Sequence, residues 1–86
     1  MEDKEVLFAQ LLGKHLKMQR EEQNLSRDKL SELADLDYNN IGKIERGEKK
    51  DPYSSTLFKI YSSKCISIDK LFSNVLQELE TYKNNE

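Results

Sequence analysis

Asn39, Asn40, Lys43 and Arg46 stand close together in residues 39–46 and offer amide, ammonium and guanidinium groups within one short stretch. An Asn amide presents a donor beside an acceptor and so pairs with an adenine edge, while a Lys ammonium donates to guanine. A guanidinium grips an anionic oxygen such as a phosphate. Tyr38 precedes this set, Arg27 lies upstream, and Lys49 and Lys50 follow it. Other chemistries lack their parts. One cysteine, Cys65, and one histidine, His15, make neither an internal disulfide nor a metal site. There is no Ser/His/Asp set, no paired carboxylates in an apolar pocket and no Gly-rich phosphate loop, so neither an enzyme nor a cofactor is expected.

These residues need a rigid element to present them, and residues 25–47, LSRDKLSELADLDYNNIGKIERG, supply one. Ser26 can cap a first short helix with Leu30, Leu33 and Ala34 on one face. Asp37 can cap a second with Ile41 and Ile44 at buried spacing. At roughly 100° per residue, Asn39, Lys43 and Arg46 lie opposite those isoleucines, with Tyr38 and Asn40 on the shoulders. Two helices this short cannot stand alone and must pack with a sharp bend between them. That is a helix-turn-helix arrangement, whose second helix enters the DNA major groove.

The flanking sequence reads as further helix. Phe8, Leu11, Leu12, His15, Leu16 and Gln19 recur at three- and four-residue spacing within residues 4–22, and Asn24 sits where a left-handed residue ends a helix. Residues 47–52, GEKKDP, make a break. Ser54 or Ser55 can cap a fourth helix with Leu57, Ile60 and Tyr61 inward. Ser67 can cap a fifth with Ile68, Leu71 and Phe72, and Val75, Leu76, Leu79 and Tyr82 prolong its stripe. The expected fold is all-α, one compact domain of five helices with an extended C-terminal helix. Residues 12–72 form the core and residues 73–86 the extension.

With 86 residues, 36% apolar and 35% charged, the core must be small, which favours dimerisation. Net charge is −2, but residues 1–8 and 73–86 each carry −2, leaving +2 between them. This is a weak electrostatic footprint, and tight non-specific DNA binding is not expected. The acidic start and the short apolar run at residues 6–9 suit neither a signal peptide nor a membrane span, so the expected address is a reducing cytoplasm with no membrane partner.

Over residues 12–72 the chain resembles the phage-repressor/Cro-like (Xre) helix-turn-helix family without a gap. The resemblance is carried by Leu12-Gly13, Leu16, Arg20 and Leu25-Ser26, then by Lys29-Leu30-Ser31, Leu36-Asp37 and the string IERG at residues 44–47. Pro52, Thr56-Leu57, Lys59-Ile60, Ile66 and Leu71-Phe72 complete it. It implies a repressor-like fold, a double-stranded DNA operator as partner, and base-reading roles for Tyr38, Asn39 and Lys43. It also places Arg20 facing Glu45. Departures are Arg27 for a phosphate-touching Gln, Ser31 for Ala, Asp35 for the turn Gly, and Gln19 for Leu. Lys64 and Cys65 replace apolar and Gly residues, which leaves the end of the fourth helix open.

The expected DNA-binding set is Arg27, Tyr38, Asn39, Asn40, Lys43, Arg46, Lys49 and Lys50. Each has an ordinary alternative: a solvated face for Asn39 and Lys43, a Tyr38 ring lying over Ile41, and merely exposed loop charges for Lys49 and Lys50. His15 is expected at the surface or edge of the first helix, and Cys65 as a small core filler. The expected function is a transcriptional regulator binding a two-fold operator as a homodimer through Val75, Leu76, Leu79 and Tyr82. That stripe could instead fold back over Val6, Phe8 and Leu11. The ending LF..VLQELE resembles restriction–modification controller proteins. The alternative function is an antitoxin or anti-repressor module whose acidic ends grip a basic protein partner.

Overall fold

Three- and four-residue apolar spacing carries helix α1 from Lys4 to Glu22, and Leu12 and Leu16 on it are each 1% exposed. The computed structural model describes residues 4–84. In it α2 (Arg27–Ala34), α3 (Tyr38–Glu45), α4 (Ser54–Ser62) and α5 (Ile68–Asn84) follow α1, and the described residues contain no strand. Leu12, Leu16, Leu30, Ala34, Ile41, Ile44, Ile60, Ile66 and Leu71 form one cluster drawn from all five helices and the last loop. Burying each large side chain stabilises the fold by about 1.5–3 kcal/mol, so no pair of helices suffices without the others.

The first three helices end in the same way. Asn24 (φ 58°), Asp35 (φ 54°) and Gly47 (φ 77°) are left-handed. The next residue's N–H then reaches back five positions, from Leu25 to Arg20 O, Leu36 to Ser31 O and Glu48 to Lys43 O. This Schellman closure satisfies carbonyls that a helix end leaves open. Ser26 caps α2 through its bond from the Lys29 amide, and Ser67 caps α5 through Lys70. Asp37 occupies the cap position of α3 without a side-chain bond. Neither Ser54 nor Ser55 caps α4; Tyr53 stands there, and the helix begins at Ser54. At its other end Lys64 takes up the left-handed conformation (φ 65°), which settles where α4 stops.

Several side chains depart from the expected faces. Leu30 and Ala34 turn α2 inward, and Leu33, rotated to the shoulder, is 42% exposed. On α4 the inward residues are Thr56 and Ile60, so Tyr61, about 100° further round, is 61% exposed and lies 6.2 Å from the exposed Phe58 ring. Cys65 is half-buried beside the core.

Helix α5 packs along α1. The Gln19 amide grips the α4–α5 loop, donating to Ser67 O at 3.0 Å and accepting from Ser67 N at 2.9 Å. Phe8 stacks on Phe72. His15, expected at the surface, is 7% exposed, because α5 covers it and Glu78 meets its Nε2 at 2.8 Å. Val75, expected at an intermolecular interface, is 1% exposed within the chain.

Glu78 also accepts from Lys14 Nζ at 2.9 Å. The Lys14 hydrogen bond, with a smaller contribution from His15, holds the Glu78 carboxyl below its ordinary value of 4.5 despite partial desolvation. A carboxylate with a lowered folded pKa stabilises the fold above its unfolded value, and the contribution is lost as pH falls through the folded one. Glu78→Gln should therefore cost stability at neutral pH, by less than about 1 kcal/mol at this exposure. The difference from wild type should vanish on acidification through the carboxylate range. Urea unfolding across a pH series measures it; a difference that stays constant with pH would contradict the assignment.

Candidate nucleic-acid interface

The outer face of α3 is set by what holds its inner face. Glu45, in the last turn of α3, has a side chain 1% exposed and is held by two arginines from two other helices. Arg20 of α1 donates from Nε to Oε2 at 2.7 Å and from Nη2 to Oε1 at 3.2 Å, and its Nη1 bonds Leu25 O at 2.7 Å. Arg27 of α2 donates from Nε to Oε1 at 3.0 Å. The hydrogen bond to Glu45 raises the Arg27 pKa above its usual value, against a smaller opposing effect of desolvation. A two-pronged guanidinium–carboxylate pair fixes orientation as well as distance. The pair expected between Arg20 and Glu45 is present, and Arg27 makes it a triad.

Gly13 allows the approach on which that triad depends. A Cβ there would meet the carbonyl oxygens of Ile44 and Glu45, the latter at 2.6 Å. Any larger residue at position 13 would push the end of α3 away from α1.

With Ile41, Ile44 and Glu45 turned in, the opposite side of α3 carries Asn39, Lys43 and Arg46, all exposed. Among the described residues no side-chain hydrogen bond holds Asn39 or Lys43. Tyr38 is 44% exposed and interacts with the Arg27 guanidinium, so its ring is not spent on the core. Asn40 is half-buried and lines a shallow polar hollow with Lys49, Asp51, Pro52, Tyr53 and Thr56. Lys50 is exposed in the same loop. Arg46 donates from Nε to Glu48 at 2.6 Å, and this bond holds the Glu48 carboxyl below its usual range. The structure thus gathers Arg27, Tyr38 and Arg46 around α3 and sets Asn40 beside Lys49. Leu76, Leu79 and Tyr82 lie elsewhere, on α5.

Sequence reasoning missed the bond from Arg27 to Glu45, because a lone cation seven residues from the previous arginine carries no signal for a shared buried carboxylate. It also missed the structural demand on Gly13, although Gly within a helical stripe is itself a marker of close packing. The two arginines are not equal. Arg20→Met leaves Glu45 with one bond from Arg27 and should cost about 3 kcal/mol, near the lower end for a broken buried pair. Arg27→Met leaves the two-pronged pair intact and should cost clearly less. Denaturant unfolding of both variants checks the order, and equal costs would contradict it.

A helix-turn-helix family model matches residues 16–60, just over half of the chain. No curated protein and no solved structure matches. The matched span contains α2 and α3, the arginines that hold them and the α4 residues beneath them. No helix among the described residues is long and apolar enough to cross a membrane. The short α2 and α3 joined by a left-handed turn, the pinned end of α3 and the matched span together place this chain in the Xre/Cro-like helix-turn-helix family of DNA-binding regulators.

Proposed function

We propose that the chain is a cytoplasmic, sequence-specific transcriptional repressor that binds a two-fold operator as a homodimer. The observation that carries the reading is the contrast between the two sides of α3. Its inner side is fixed by a buried ion triad, while Asn39 and Lys43 on its outer side are exposed and make no side-chain hydrogen bond among the described residues. Fixed backbone with free polar ends is what base readout needs, since a side chain already bonded in the protein would have to break that bond first. Tyr38, Asn39 and Lys43 read base edges. Arg27, Asn40, Arg46, Lys49 and Lys50 contact the sugar–phosphate backbone and set the register.

Site selection from a random duplex pool supplies the operator. Asn39→Ala should then cost about 1–3 kcal/mol on the selected site and relax preference at one or two positions. Lys49→Ala with Lys50→Ala should weaken binding to all sequences and flatten its salt dependence. Unchanged preference in Asn39→Ala would remove that residue from readout.

One reading helix covers a few base pairs, and two placed about 34 Å apart read consecutive major grooves on one DNA face. On α5, Leu76 is 57% exposed and Tyr82 49% exposed, with Leu79 half-buried between them. We assign the dimer contact to these three residues; Val75 is spent inside the monomer. Sedimentation at micromolar concentration, with and without operator, should give a dimer, and Leu76→Glu with Leu79→Glu a folded monomer. A wild type that stays monomeric under both conditions would contradict the dimer. A monomer produced instead by Phe58→Ser with Tyr61→Ser would move the interface to α4.

A further inference from the structure

A second hollow lies where the end of α4 meets the start of α5. It encloses about 390 Å³, within the range of small-molecule sites, and its lining is mostly apolar. The buried Ile66, Ile68 and the Tyr61 ring supply that lining, and the exposed Lys64 and Asp69 border it. Its hydroxyls are already engaged. Ser62 Oγ donates to Lys59 O at 3.1 Å, and Ser67 Oγ accepts from Lys70 N at 3.1 Å. The two charges are not. Among the described residues neither the Lys64 ammonium nor the Asp69 carboxylate has a hydrogen bond or an ion pair, and they do not pair with each other. Lys64 is also left-handed (φ 65°), a conformation that a residue with a Cβ adopts at a cost. It stands where the family resemblance implies an apolar residue, so an ammonium borders the two isoleucines in place of a further apolar contact.

We propose that this hollow binds a free α-amino acid with a branched apolar side chain. The ligand carboxylate pairs with Lys64, its ammonium pairs with Asp69, and its side chain covers Ile66 and Ile68 beside the Tyr61 ring. An α-amino acid carries opposite charges on one carbon and so answers both free charges at once. A simple anion or a simple amine answers one and leaves the other without a partner. Burial of the apolar side chain supplies most of the affinity. The two ion pairs are exposed, so they select between ligands more than they strengthen binding. None of these residues belongs to the set assigned to DNA or to the dimer contact on α5, so the site stands or falls independently of both readings.

Titration of the isotopically labelled full chain with L-leucine, followed through backbone amide shifts, tests the site. Residues 61–69 should shift and saturate in the millimolar range, as suits a small apolar contact with two exposed ion pairs. Isocaproate keeps the side chain and carboxylate but lacks the ammonium. Isopentylamine keeps the side chain and ammonium but lacks the carboxylate. Each should bind several-fold more weakly than leucine. Lys64→Gly removes one charge and suits the left-handed backbone, so the fold should keep or gain stability. In that variant leucine should bind no better than isopentylamine, and in Asp69→Asn no better than isocaproate. If residues 61–69 do not shift with leucine, or shift equally with all three compounds, the site is wrong. A preference for leucine that survives both substitutions also overturns it. Shifts at these residues that follow protein concentration in place of leucine would give the hollow to a second copy of the chain and overturn it likewise.

Discussion

A carboxylate buried at the end of a two-turn helix has to be answered by charge, and the answer given to Glu45 organises the domain. Arg20 comes from α1 and Arg27 from α2, so one buried anion ties three helices to a common point. Left without partners, such a group would cost several kcal/mol. Neither α2 nor α3 can hold a fixed angle through eight residues of its own, because isolated helices of that length are marginal in water. Apolar burial supplies most of the stability, but contacts among Leu30, Ile41 and Ile44 are non-directional. The guanidinium forks supply the direction.

The same residues connect stability to recognition. Arg27 and Arg46 turn their Nε edges to carboxylates, and their guanidiniums lie over the α3 backbone at Gly42. The end of α3 also lies against the α1 backbone at Gly13, and the left-handed turn at Gly47 lies against Gln10, where a Cβ would come 3.1 Å from Gln10 Cα. The C-terminal end of α3 is therefore packed against α1 on its inner side, while Tyr38 and Asn39 at its N-terminal end project. Grooves are read by the N-terminal part of such a helix. Rigidity at one end and exposure at the other follow from where the glycines stand.

Much of this was legible in the sequence because the signals were local. Apolar spacing located all five helices, Ser26 and Ser67 marked two starts, and Asn24 marked an end by its tolerance of positive φ. The pair of Arg20 and Glu45 came from the family resemblance, since a contact 25 residues apart leaves no local trace. The errors share a cause: a stripe on one helix does not say how wide its neighbour is. Leu33 and Tyr61 belong to their stripes by spacing, yet no helix extends over them. His15 reads as a surface or edge position and Val75 as part of an intermolecular stripe, yet α5 and α1 cover one another along enough length to bury both. The resemblance left the end of α4 open at Lys64 and Cys65, but nothing local marked Lys64 itself as left-handed, because the residue type disfavours it.

The account makes α3, anchored through Glu45, the element that meets DNA. The most direct measurement is the backbone amide spectrum of isotopically labelled protein titrated with an operator duplex. Shift changes should concentrate at Arg27, in residues 38–43 and at Lys49 and Lys50, with Glu45 and Gly13 little changed because the anchor persists in the complex. Changes confined to α4 and α5, with α3 unaffected at saturation, would contradict it.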